Sequence, residues 1–145
     1  MVEEGHIIID GVSKSFDDAN TAGGRQVILS GISLDIAPGS FTSFIGPSGC
    51  GKSTLLRIIS GFLVPDGGQV EVDGKKVEGP GVDRGFMFQD HVLFPWLSIY
   101  DNIAFGLKVQ GTYEKRKGDV EQIIHQVGLE GYEDHFPYQV SGGMQ

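Results

Sequence analysis

Cysteine is nearly absent from this chain. Its 145 residues hold one, Cys50, so no disulfide can form within it. Basic charge is also scarce: 11 Lys and Arg face 19 Asp and Glu, for a net charge of −8. Without a basic stripe, a charged face for nucleic acid is not expected. No apolar run approaches the length of a membrane span. Residues 1–6 are acidic and lack the basic start of a secretory leader. His6, His91, His125 and His135 show no metal-ligand spacing. These absences point to a reducing, cytosolic setting. What remains, 39% hydrophobic and 21% charged, is ordinary for a globular domain with a real core.

Glycine, by contrast, is abundant, and the informative cluster is Gly46-Pro47-Ser48-Gly49-Cys50-Gly51-Lys52-Ser53-Thr54. It reads Gly-x4-Gly-Lys-Ser, a phosphate-binding loop. The strand-like segment 41–45 before it predicts a buried strand, and Leu55, Ile58, Ile59 and Phe62 after it predict a helix. Strand, glycine loop and helix form the context that such a loop requires. A glycine-rich turn binding nothing would match the pattern but not that context. Glycines let the main chain curl so that its N–H groups face an anion. The helix N-terminus adds free N–H groups and a positive dipole end. Lys52 supplies a point charge for the β- and γ-phosphates, and the Ser53 hydroxyl can ligate Mg²⁺. Cys50, inside the loop, reads as a reactive thiol or as a small filler.

Elsewhere, Ile7, Ile8 and Ile9 begin a strand that residues 12–16 continue or follow. Residues 17–26 read as an exposed loop, and residues 32–36 alternate as a half-buried strand. Residues 69–77 carry a hairpin turned at Asp73-Gly74. Residues 84–88 predict a second buried strand, ending at Gln89. From Asp90 the pattern is helical. Ser98 opens one helix, with Ile99, Ile103 and Leu107 on its inner face and Gly111 as its stop. Val120, Ile123, Ile124 and Val127 mark a second, stopped by Gly128. Ser141 would cap a further helix, with Gly142 and Gly143 baring its first N–H groups. Taken alone, Gln89 could simply close a strand and Ser-Gly-Gly could be a turn.

Gln89 lies 38 residues after Gly51, and Ser141 lies 52 after Gln89. In this order and spacing the three segments resemble the ATP-binding subunits of ABC transporters over essentially the whole chain. The loop at 46–53 resembles their Walker A, Gln89 their Q-loop glutamine, and Ser141-Gly142-Gly143-Met144-Gln145 their signature motif. The resemblance implies ATP and Mg²⁺ as ligands. It implies roles for Gly46 through Thr54, Ser141, Gly142, Gly143 and Gln145 at nucleotide, and for Ser53 and Gln89 at Mg²⁺. Lys52 and Gln89 would be the catalytic members present. Phe16 resembles the aromatic residue that stacks on adenine, although a core phenylalanine would look alike. Pro95-Trp96 and Asp101-Asn102-Ile103-Ala104-Phe105-Gly106-Leu107 are similar to importer ATPases for nitrate, taurine and aliphatic sulfonates. Phe94 and Trp96 are candidates for docking a membrane partner, with packing inside the helical part as the alternative.

The implied architecture is α/β: a P-loop NTPase core at 1–89 with an incomplete mixed sheet and an antiparallel β flap, then a mostly helical subdomain at 90–140. Residues 141–145 would start the signature helix. The implied partners are a second ATP-binding subunit, as a homodimer, and permease subunits served by a solute-binding protein, with no nucleic acid. The implied location is peripheral, on the cytoplasmic face of the membrane. Val140 stands where the family usually has Leu. The family's Walker B strand, catalytic glutamate and switch histidine come after its signature motif, so this chain is expected to be an N-terminal fragment, of marginal stability, that binds ATP without hydrolysing it. Asp90 is a weak stand-in for the missing base. Two rival readings are another P-loop NTPase and a non-catalytic nucleotide-binding or interaction module.

Overall fold

Alternating apolar residues build one sheet and heptad-like spacing builds the helices. A computed structural model describes residues 5–19, 23–89 and 92–145. Asp90 and His91, and residues 1–4 and 20–22, lie outside the described residues. The chain divides into two units, Met1–Phe86 and Met87–Gln145.

In the first unit, β1 (Ile7–Asp17), β2 (Arg25–Ile36), β3 (Gly67–Val72) and β4 (Lys75–Lys76) form an antiparallel sheet in the order β2-β1-β3-β4. β2 starts well before the expected residue 32. Gly31 breaks the alternation in sequence, but its φ of +60° makes a bulge that bends the strand without ending it. Gly11, also at φ +60°, does the same in β1. Serine hydroxyls accept the amides freed there: Gly11 N–H donates to Ser33 Oγ and Gly31 N–H to Ser13 Oγ, both at 2.9 Å. Asp73 and Gly74, at φ +51° and +72°, make the two-residue turn between β3 and β4.

Helix α1 (Lys52–Ile59) packs Leu55, Ile58 and Ile59 against Ile9, Val12, Leu29 and Val70 of the sheet. Each such side chain contributes about 1.5–3 kcal/mol by leaving water. Phe62, expected on this helix, falls beyond its end and is half exposed. Gly61 ends the helix at φ +81°, pressed against the Gly79 carbonyl so closely that a Cβ would lie 2.2 Å from it.

Two expected strands are not formed. Residues 41–45 and 84–88 carry no strand pairing, and Phe41, Ile45 and Met87 are 96%, 93% and 94% exposed. Their short, apolar-rich stretches between turn signals read as strands. A strand, however, is defined by a neighbour that takes its N–H and C=O groups, and no described segment pairs with either.

In the second unit, α2 (Ile99–Val109) and α3 (Tyr113–Gln126) share a core of Ala104, Val120 and Ile124, with Ile103 and Leu107 packed against it. Ser98 Oγ accepts the Asp101 N–H at 3.1 Å, capping α2. The Asp101 carboxylate pairs with Lys108 Nζ at 2.6 Å. The Ile99 and Tyr100 N–H groups donate to the carbonyls of His135 and Glu133. The Tyr100 and Tyr113 hydroxyls meet at 3.0 Å between the two helices. That bond, then burial, pushes the Tyr100 hydroxyl up to about 12. Gly111 and Gly128 stop α2 and α3 at φ +67° and +70°.

Asn102 organises the turn that precedes α2. Its Oδ1 accepts the Phe94 N–H at 2.8 Å, and its Nδ2 donates to the carbonyls of Phe94, Leu97 and Ser98. Four partners on one side chain fix the loop that carries Trp96. Asn102→Ala is expected to cost about 2–3 kcal/mol, from several net hydrogen bonds lost at once. A urea titration followed by emission of Trp96, the sole tryptophan, checks this.

Candidate functional site

Residues 46–50 of the loop are exposed, and Gly51 is buried at its end. Gly51 adopts φ +96°, open only to glycine at low cost, and seats the loop on β2. A Cβ there would lie 2.8 Å from Leu29 Cδ2 and 3.1 Å from the Ile28 carbonyl. Gly49 is also left-handed, at φ +80°, but faces open space. Gly46 lies close to Cys50, whose Sγ would stand 2.8 Å from an added Cβ. The loop closes on Lys52, whose Nζ donates to the Gly46 and Pro47 carbonyls at 2.8 and 2.7 Å and lies 3.5 Å from Cys50 Sγ.

The loop opens onto the N-terminus of α1. That first turn has no acidic side chain, and Gly51 offers no side-chain cap. Its N–H groups are thus left for an outside anion. Ser53 is exposed, and among the described residues its hydroxyl has no hydrogen-bond partner. The donor set fits a polyphosphate with its cation: main-chain amides, one ammonium whose acceptors are weak neutral carbonyls, and a free hydroxyl. Two cavities of the first unit, of about 410 and 330 Å³, are lined by other residues.

Phe16 ends up near the same stretch of β2. Leu29, against which Gly51 sits, pairs with Lys14, two residues before Phe16. Two residues of strand span about 7 Å. Phe16 is 42% exposed, pairs with Gln26, and has Lys14 Nζ over its ring at 5.8 Å. It is therefore neither a core side chain nor a free one.

The other candidates belong to the second unit. Gln89 is exposed, and its side chain bonds no other described residue. Ser141, Gly142 and Gly143 are exposed, and Gly142–Met144 forms one 3-10 turn. The cap expected from the Ser141 hydroxyl is not made; the turn closes through its carbonyl instead, which accepts the Met144 N–H at 2.9 Å. Gln145 Nε2 donates to the Pro137 carbonyl at 2.6 Å. Phe94 touches both Trp96 and Phe105, at 5.4 and 4.6 Å between ring centroids, while Trp96 stays 70% exposed.

The family model of the ABC transporter matches residues 29–145. This chain belongs to the ABC transporter family. Its match begins in β2 and runs through the loop, Gln89 and the 141–145 segment. Among curated ABC relatives, the chain is 44% identical over 137 residues to the taurine import ATP-binding protein of Pseudomonas aeruginosa, covering 94% of this chain and 51% of that protein. It is 48% identical over 122 residues to the aliphatic sulfonates import ATP-binding protein of Bacillus subtilis, covering 84% and 47%. The chain spans about half the length of these relatives. A solved ATP-binding cassette, a dimeric post-hydrolysis state bound to ADP and Pi, superposes with a TM-score of 0.79 at 29% identity, over 95% of this chain and 64% of that one. The fold is thus the α/β P-loop NTPase fold of an ABC cassette. Among the described residues, no helix is long and apolar enough to cross a membrane.

One part of the site was not legible beforehand. Pro65-Asp66-Gly67-Gly68 reads as a turn, yet Asp66 gathers three partners. Its carboxylate accepts from Lys14 Nζ at 2.8 Å, the Ser15 N–H at 2.8 Å and Arg25 Nη2 at 3.3 Å. The Lys14 bond first, then the Ser15 bond, hold its carboxyl below the usual carboxylate range. Only the Asp in a turn signalled this, and that signal is common to most turns.

Proposed function

We propose that this chain supplies the nucleotide-gripping part of an ABC importer's ATP-binding subunit. The observation that carries it is the seating of Gly51 on Leu29, the cross-strand partner of Lys14. The phosphate cradle and an exposed aromatic ring are thereby anchored on one short stretch of β2. Phe16 would stack on adenine, main-chain amides of the 46–54 loop and the start of α1 (Pro47 has none, and that of Cys50 donates to the Pro47 carbonyl at 3.4 Å) would hold the phosphates, and Ser53 would ligate Mg²⁺. Lys52 would turn from the Gly46 and Pro47 carbonyls toward the β- and γ-phosphates. A phosphate oxygen is a far stronger acceptor for an ammonium than a carbonyl.

Gln89 is assigned the family's Mg²⁺ and γ-phosphate role. Ser141, Gly142, Gly143 and Gln145 are assigned to the ATP of a second subunit in a homodimer. The relatives' names support import of taurine, an aliphatic sulfonate, nitrate or a similar small solute. On this reading the subunit works at the cytoplasmic face of the membrane against permease subunits served by a solute-binding protein. Trp96, held out by the Asn102 turn, is a contact for that permease.

Hydrolysis asks for more than the cradle, because water must be oriented and deprotonated. The family's residue for that task has no counterpart at a matching motif in these 145 residues. The 145-residue chain is therefore expected to bind Mg-ATP without steady phosphate release. Equilibrium titration with Mg-ATP, alongside a phosphate-release assay at saturation, tests both halves. Absence of binding would overturn the nucleotide reading. Turnover of about 1 s⁻¹ or more, in the ordinary enzyme range, would overturn the second half.

A further inference from the structure

We infer that Asp66 is a positioning residue for the adenine base, acting through the end of β1 that carries Phe16. The inference rests on the proposal that Phe16 stacks on the base. β1 ends at Asp17, one residue beyond Phe16. A strand end beside a loop frays unless something ties it down. Asp66 ties it at consecutive residues. The Asp66 N–H donates to the Ser13 carbonyl at 2.8 Å, and its carboxylate takes the Lys14 ammonium and the Ser15 N–H, both at 2.8 Å. Arg25, opposite Asp17 across the ladder, reaches the same carboxylate at 3.3 Å and Asp17 at 3.7 Å. One carboxylate thus fixes both strands of the hairpin around Phe16.

Asp66 is itself held firmly. Gly67 pairs with Ser13, and Gly68, at φ +74°, lies so near β1 that a Cβ would stand 2.3 Å from the Asp10 carbonyl. The Lys14 side chain is only 15% exposed, and its ammonium, once held by Asp66, stands over the Phe16 ring. That ammonium stands on one ring face, and the ring as a whole is 42% exposed. It also limits the rotamers open to the ring. A carboxylate that served only to join β1 to the turn would not need to set a cation against this aromatic. None of these contacts touches residues 46–54, so the clamp acts on the base end of a nucleotide and not on its phosphates.

The test is a double-mutant cycle on the intact protein, read with two ligands: Mg-ATP and inorganic tripolyphosphate. Asp66→Ala should weaken ATP about tenfold, within the range of one lost base stack. Tripolyphosphate affinity should stay within about twofold, as expected for sites that do not couple. In a Phe16→Ala background, Asp66→Ala should cost nothing further. If Asp66→Ala does not fold, Asp66→Asn keeps an acceptor for Ser15, loses both ion pairs, and is read in the same way. Equal loss for both ligands, an ATP loss that adds to that of Phe16→Ala, or no ATP loss would each overturn the inference. A parent protein that binds neither ligand would overturn the nucleotide reading itself, and this inference with it.

Discussion

Lys52→Ala is expected to weaken Mg-ATP about 100-fold or more while leaving the melting temperature almost unchanged. Two charge-assisted bonds to phosphate, at about 1.5–3 kcal/mol each, set that scale. The fold loses little, because among the described residues Lys52 Nζ bonds only groups of its own exposed loop, the Gly46 and Pro47 carbonyls and Cys50 Sγ. Surface changes of that kind move stability by about 0.5 kcal/mol or less. Lys52→Arg should not restore affinity. The planar guanidinium is wider than an ammonium and does not present the compact point charge proposed to meet the β- and γ-phosphates. Calorimetric titration gives the affinity, and a thermal melt gives the stability. Affinity close to the parent's would remove the ammonium from the account.

The second large effect is on the fold, and it separates two glycines that look alike in sequence. Gly51→Ala is expected to destabilise by about 2–5 kcal/mol, combining a left-handed non-glycine residue with overpacking. Its Cβ would meet Leu29 Cδ2 at 2.8 Å, Ile28 Cγ2 at 3.0 Å and the Ile28 carbonyl at 3.1 Å. The carbonyl is main chain of β2, at the irregular step between the Lys14–Leu29 and Ser15–Val27 pairs, and is not the far end of a flexible side chain. Gly49→Ala shares the left-handed backbone, at φ +80°, but meets nothing within 4 Å. It should cost only the backbone term, about 1–2 kcal/mol. Urea midpoints at unchanged m-value compare the two. Equal losses would mean that Gly51 does not seat the loop on the sheet.

What could be read from the residues was mostly local. The inner face of α1, the Asp73-Gly74 turn, the Ser98 cap and the stops at Gly111 and Gly128 each depend on neighbours within about one or two turns of chain. Residues 41–45 and 84–88 failed because pairing is a property of two segments, and hydropathy describes one. β2 was undercounted because a bulge at Gly31 looks like a break. The Asp66 clamp joins residues 41 to 52 positions apart, beyond the reach of any periodicity. Asn102 is a different case: its partners lie four to eight residues away. An Asn in the first turn of a helix after a Pro-Trp-Leu-Ser run could have been taken as a loop organiser.

The most direct measurement uses the chain's sole thiol. Cys50 is exposed inside the loop, 3.5 Å from Lys52 Nζ, so its alkylation reports whether that loop is occupied. With Mg-ATP at about 100 times its Kd, iodoacetamide should react at least about tenfold more slowly, and adenosine, which lacks phosphate, should not protect. Equal rates with and without Mg-ATP, under conditions where ATP is bound, would mean that the nucleotide sits elsewhere.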